Sequence, residues 1–223
     1  MTSLEDLTRL VPPPASPPPT DWNAVEALLG TRLPDDYKQL ADTYGPGAFC
    51  DFVRLYHPHG PTEWVDLTGP MPARLRGQLE TDRAGGTYPM PHAPEDLFAV
   101  GVTDNGNHLF WITTPLEEPD AWRVTVNQAD GHAWYTYDGN LTSFLASLLS
   151  GHVHPPVFPD GLLGNGAFFT PSRPVDESTP PAPHPTGTTS REVIRERARS
   201  HGYDVPDRGR IPGHVIQAWE QAQ

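Results

Sequence analysis

A single cysteine, Cys50, in 223 residues excludes an internal disulfide and any CxxC metal site. No apolar run approaches the length that spans a bilayer. Residues 1–20 place Glu5, Asp6 and a set of prolines where a secretory signal needs an apolar stretch, so a cytoplasmic protein with no membrane contact is expected. Positive charge is also scarce: 15 Lys and Arg stand against 28 Asp and Glu, a formal net charge of -13 at pH 7. The deficit is uneven, because residues 187–223 hold six Arg against five Asp and Glu, a balance of +1 that leaves -14 on the remainder. That remainder is not expected to touch nucleic acid, since phosphate neutralisation drives such affinity. At 36% hydrophobic residues, the chain has room for one ordinary domain and a small module.

Catalytic constellations are missing as well. His57-x-His59 and His152-x-His154 each offer two metal ligands, yet both pairs sit beside prolines without a companion cluster, and they read as loop histidines. Cys50 lies between Phe49 and Asp51 near an apolar strand, where a small buried side chain is the ordinary reading. Asp104-Asn105-Gly106-Asn107 lacks the spaced acids of a calcium loop and is a hairpin turn. Gly164-Asn165-Gly166 is not followed by the lysine and hydroxyl of a phosphate loop. No cofactor or metal is implied, and no enzyme is expected. Trp64, Phe110, Trp111, Trp122 and Trp134 form a candidate platform for a ligand, although alternate sheet positions are more often core.

Proline, by contrast, is plentiful and marks the joints. Pro12-Pro13-Pro14 and Pro17-Pro18-Pro19 make residues 1–20 an expected extended, disordered leader. A second tract over 175–186 reads as a semi-rigid spacer. Between them, over 21–174, Trp22, Val25, Leu28 and Leu29 are spaced for one buried helix face that Gly30 ends. A second helix opens at Leu33-Pro34-Asp35-Asp36-Tyr37 and closes near Tyr44-Gly45. Strands are expected at 52–55, 64–67, 97–102, 108–112, 122–126 and 133–137, then a closing amphipathic helix through Leu141, Phe144, Leu145, Leu148 and Leu149. Val157-Phe158, Leu162-Leu163 and Phe168-Phe169 suit a tail packed back onto this domain. The class is α+β with a mainly antiparallel sheet and flanking helices.

The residues that carry a resemblance here are Trp22-x-x-Val25-Glu26, Leu33-Pro34-x-x-Tyr37-Lys38, Tyr44-Gly45-x-Gly47, Gly106-x-x-Leu109-Phe110-Trp111, Trp122-x-Val124 and Leu141-x-x-Phe144-Leu145. This set resembles the SUKH superfamily, also called the Smi/Knr type. The resemblance implies a protein-interaction domain without known chemistry, or an immunity protein that neutralises a polymorphic toxin.

Residues 187–223 follow a different logic. Thr189-Ser190-Arg191-Glu192 reads as a capping box ahead of Val193 and Ile194. Ile194 and Ala198 then share one helix face, while Arg191, Arg195 and Arg199 recur every four residues along another. Gly202 suits a left-handed cap. Pro212 suits the first position of a second helix, in which Ile211, Val215 and Trp219 form one stripe. Between the two lies Arg208-Gly209-Arg210, where two guanidinium groups flank a residue with no side chain, a compact probe for a narrow, electronegative minor groove.

Through Ile194-Arg195-Glu196, His201-Gly202-Tyr203-Asp204-Val205, Asp207-Arg208-Gly209-Arg210-Ile211-Pro212 and Val215-Ile216, this stretch resembles the DNA-binding domain of the Lsr-two family of actinobacterial nucleoid proteins, functional analogues of H-NS. Its small two-helix fold is also similar to the E3-binding domain of acyltransferases. The resemblance implies that Arg208, Gly209 and Arg210 enter the A·T-rich minor groove, with Ser190 and Arg191 beside the phosphates and Arg195 as a further DNA-binding residue. The family's dimerisation domain is replaced by the SUKH-like domain, so gene silencing by bridging does not carry over. Two functions of different classes are expected. One is a nucleoid-associated or regulatory protein bound to double-stranded A·T-rich DNA, with the first domain supplying a protein partner or a homo-oligomer. The alternative is an immunity protein that masks a toxin and is tethered to DNA by its tail.

Overall fold

The computed structural model describes residues 3–15, 17, 19–86 and 88–172. They belong to the first of two units into which the chain divides, Met1–Val175 and Asp176–Gln223. The elements in chain order are α1 (Ser3–Leu10), α2 (Trp22–Leu29), α3 (Asp35–Tyr44), β1 (Gly47–Phe49), β2 (Val53–Leu55), α4 (Met71–Gly85), β3 (Leu97–Thr103), β4 (His108–Ile112), β5 (Arg123–Asn127), β6 (Trp134–Tyr137), α5 (Leu141–Leu149) and β7 (Phe169–Pro171). The strands form one antiparallel sheet in the order β6-β5-β4-β3-β2-β1-β7. The α+β class read from the sequence is therefore observed.

Local chemistry explains the helix ends. The Asp21 carboxylate accepts the Ala24 amide at 3.1 Å and caps α2, and Gly30 closes it at φ 70, a conformation that favours glycine. In α3, Tyr37, Leu40, Ala41 and Tyr44 recur at helical spacing and are all buried. Asp36, in the first turn of α3, reaches across to the N-terminus of α5. Its Oδ2 accepts the Thr142 amide and hydroxyl, each at 2.9 Å. One of the orphan amides of that terminus is thus satisfied by a carboxylate from another helix, while Asn140 accepts the Ser143 amide at 2.9 Å. Asp120 does the same for the Asp35 amide at 2.7 Å.

The motif residues of the first domain turn out to hold its frame. Glu26 accepts the Leu33 amide at 2.9 Å and pairs with Lys38, the only lysine of the chain, at 3.1 Å. The Tyr37 hydroxyl donates to the Tyr56 carbonyl at 2.7 Å, and its ring meets Trp111 edge-on at 5.0 Å. Trp111, Trp122, Val124, Leu141, Phe144 and Leu145 are fully or nearly fully buried.

Several expectations need correction. The disordered leader fails over Ser3–Leu10: Leu7 and Val11 are fully buried, α1 packs on α5, and the Tyr44 hydroxyl donates to the Val11 carbonyl at 2.6 Å. Leu4, Leu7 and Val11 recur at helical spacing, a stripe that the proline runs nearby obscure. On α2, Trp22, Val25 and Leu29 pack against the core, but Leu28 turns outward with 71% exposure. Residues 64–67 are not a strand. Asp66 Oδ1 accepts the Thr68 amide and hydroxyl, each at 2.8 Å, so the segment bends into a turn that holds one bridge, His57 to Asp66.

Elements that patterning did not reveal are α4, β1 and β7. Helix α4 packs on β3 and buries only Leu79, so its periodicity is faint. Strand β7 completes the sheet beyond β1, with the Phe169 ring 4.9 Å from Phe49 and 5.1 Å from Tyr44. Gly47 permits this approach, because a Cβ there would overlap the Phe169 ring. The tail does pack back on the domain. Phe158 stacks edge-on to Phe52 at 5.2 Å, and Asn107 donates to the Val157 carbonyl at 2.6 Å while accepting the Ala129 amide at 3.0 Å.

Candidate functional site

All six DNA-contact candidates, Ser190, Arg191, Arg195, Arg208, Gly209 and Arg210, lie outside the described residues. What the structure places is the first domain and the chemistry-bearing side chains within it.

The paired histidines part company. His57 lies outside the helices and strands of the sheet, as a loop histidine, but it is 2% exposed, and its backbone bonds to Val65 and Leu67 fix it in the core. Burial pulls its pKa from the usual 6.5 to about 4, so the ring is neutral at physiological pH. His59 is exposed and its Nε2 contacts the Pro19 carbonyl at 3.3 Å. His152 and His154 are exposed, and His152 Nδ1 is 2.6 Å from the Ser150 hydroxyl. No group of three or more His, Cys, Asp or Glu suited to a metal exists among the described residues.

Cys50 is half-buried beside the Gly166 carbonyl, and burial raises its pKa, the opposite of what an activated thiolate requires. It and Asp51 both have φ 52, the paired left-handed residues of a tight hairpin between β1 and β2. The aromatic set does not form a platform. Phe110, Trp111 and Trp122 are core, Trp134 is half-buried, and Trp64 stands apart at 49% exposure with the Arg74 guanidinium 4.9 Å over its ring.

The described residues form open grooves, of which two stand out. One, of about 380 Å³, runs between α1 and α5, with Asp6, Arg9, Leu10, Ser143, Ala146 and His152 on its walls. The other, of about 340 Å³, lies between α2 and α4 and is lined by Leu28, Leu29, Pro72, Gly77 and Phe98 with Arg76 and Glu80 at its margin. Sequence reading missed both, because α1 and α4 build one wall of each. The Ser150 hydroxyl and His152 Nδ1, 2.6 Å apart, both line the first of them. No helix of the described residues is long and apolar enough to cross a membrane.

Comparison with known families gives two matches. Residues 187–222 match the Lsr2 DNA-binding domain, and residues 17–147 match the SMI1 / KNR4 family (SUKH-1). Searches of curated proteins and of solved structures found no match. The second family covers more than half of the 223 residues, and the DNA-binding match follows it in the chain. The protein therefore belongs to the SMI1 / KNR4 family (SUKH-1) and carries an Lsr2 DNA-binding domain behind its SUKH domain.

Proposed function

We propose that this chain is a non-catalytic, nucleoid-associated or regulatory protein that reads the A·T-rich minor groove through Arg208-Gly209-Arg210. The observation that carries the reading is the match of residues 187–222 to a DNA-binding domain, a stretch that contains that tripeptide and the chain's densest group of arginines. Arg208 and Arg210 enter the groove, Gly209 lets the backbone approach its floor, and Ser190, Arg191 and Arg195 contact phosphate. Residues 175–186 act as a spacer, which frees the acidic SUKH domain from the DNA surface it would repel. That domain is the protein-interaction part of the molecule, in the cytoplasm at the nucleoid.

The test is a gel shift of the full chain on A·T-rich and G·C-rich duplexes over a range of salt, with preference for the former expected and indifference refuting the reading. Arg191→Ala is expected to weaken both duplexes alike and to reduce the slope of log affinity against log salt by about one unit, the signature of one lost phosphate contact. An effect confined to A·T-rich DNA would instead place Arg191 in the groove.

A second reading rests on the -14 balance outside residues 187–223 and on membership of the SUKH family: an immunity protein whose acidic domain covers a basic toxin surface. Recovery of a toxin domain by the full chain with both Arg208 and Arg210 substituted by Ala would favour it.

A further inference from the structure

Among the described residues four buried side-chain polar atoms lack a partner, Thr20 Oγ1, His57 Nε2, His108 Nδ1 and Trp111 Nε1, and His57 is the one of them that lines a core cavity. His57 Nδ1 accepts the His59 backbone N–H at 3.0 Å. Only an unprotonated ring nitrogen accepts an amide proton, so the neutral imidazole carries its hydrogen on Nε2. That Nε2 is buried and has no hydrogen-bond partner. The Ala41 carbonyl lies against the ring, but the contact does not reach hydrogen-bond geometry. Buried donors are almost always paired, and an unpaired one in a native core calls for a ligand or a solvent partner.

His57 also lines a small cavity in the core, together with Tyr37, Ala41, Tyr44, Gly45 and Phe169. The volume open to a water-sized sphere there is about 10 Å³. That sits at the lower edge of the ~10–15 Å³ that one water needs, and below what any larger molecule needs. Polar groups at its wall have capacity to spare. The Ala41 carbonyl accepts the Gly45 amide at 2.7 Å and keeps a second lone pair. The hydroxyls of Tyr37 and Tyr44 donate elsewhere and retain acceptor lone pairs.

We propose that this cavity is a binding site for a single internal water, which accepts the His57 Nε2–H and donates to the Ala41 carbonyl. The water ties the C-terminal turn of α3 to the segment that follows β2, to which the first turns of α3 are already joined by the Tyr37 hydroxyl. A metal ion does not fit the demand, because the free ring atom is a donor and no cluster of three ligating side chains exists among the described residues.

Nuclear magnetic resonance on the full chain tests this. Ring ¹⁵N shifts are expected to show His57 as the Nε2–H tautomer, with a cross-peak from its ring protons to a long-lived water. The expected result is that tautomer together with the water cross-peak. An Nδ1–H tautomer or absence of the cross-peak overturns the proposal. His57→Leu removes the donor and is expected to abolish the water cross-peak from the Tyr37 ring, whereas its persistence in the folded variant would contradict the assignment. Should that variant fail to fold, the measurements on the natural chain decide alone.

Discussion

Leu7→Ala is expected to destabilise the first domain by about 2–5 kcal/mol, the range for emptying a buried leucine site in a core that relaxes only in part. Leu7 is fully buried, on a helix that packs against α5 and whose following residue, Val11, supplies the acceptor for the buried Tyr44 hydroxyl. Loosening α1 therefore threatens an apolar seam and a hydrogen bond together. Leu10→Ala, on the same helix at 41% exposure, serves as control and should cost less than about 0.5 kcal/mol. Urea unfolding of the full chain followed by tryptophan fluorescence measures both, because five of the six tryptophans lie in elements or turns of this domain. Equal, small effects for Leu7 and Leu10 would show that α1 does not dock. The SUKH match begins at residue 17, so this helix lies in front of the matched residues.

Acid should weaken the domain earlier than carboxylate titration alone would. Burial holds the His57 pKa at about 4 in the folded state against 6.5 for a free imidazole. Above pH 6.5 the ring is neutral in both states and contributes no pH dependence. Below it the unfolded chain binds a proton that the folded chain refuses, so stability falls as pH drops from about 6.5 to about 4. The full shift corresponds to about 3 kcal/mol, of which about 2 kcal/mol should be lost by pH 5.

His92 and His108 are also pushed down, chiefly by burial, and act in the same direction. Asp36 opposes them. Burial raises its pKa above 3.8, so folding favours its protonation and regains some stability at the acid end. Unfolding free energies at pH 7, 6 and 5 should therefore fall monotonically, and His57→Phe should flatten most of the slope. A domain equally stable at pH 7 and pH 5 would mean that His57 is solvated.

The parts of the fold that were legible in the sequence are those in which side-chain period and turn chemistry agree. Tyr37, Leu40 and Tyr44 define α3, the Asp104–Asn107 turn links β3 to β4, and Leu141 through Leu149 define α5. The remainder depends on contacts that no local pattern encodes. Helix α4 shows one buried residue and a mid-helix glycine, Gly77, so it lacks the stripe that a pattern search needs. Strand β7 is three residues long and exists because Gly47 lets Phe169 approach β1. His57 is a loop residue, as Pro58 suggests, but only the tertiary placement of Tyr37, Ala41 and Tyr44 around it creates its burial. The Asp36 bond to Thr142 spans 106 residues and has no sequence signature. In the DNA-binding segment the balance is reversed: Arg208-Gly209-Arg210 and the capping box are dense local signals, which a family match over residues 187–222 accompanies.

The most direct measurement is the affinity of the full chain for A·T-rich and G·C-rich duplexes with Arg208→Ala and Arg210→Ala introduced separately. Each substitution should forfeit a minor-groove contact of about 1–3 kcal/mol and so lower A·T-rich affinity roughly 5- to 150-fold, erasing the preference while circular dichroism stays unchanged. If the variants remain folded and still prefer A·T-rich DNA, Arg208-Gly209-Arg210 is not the reading head.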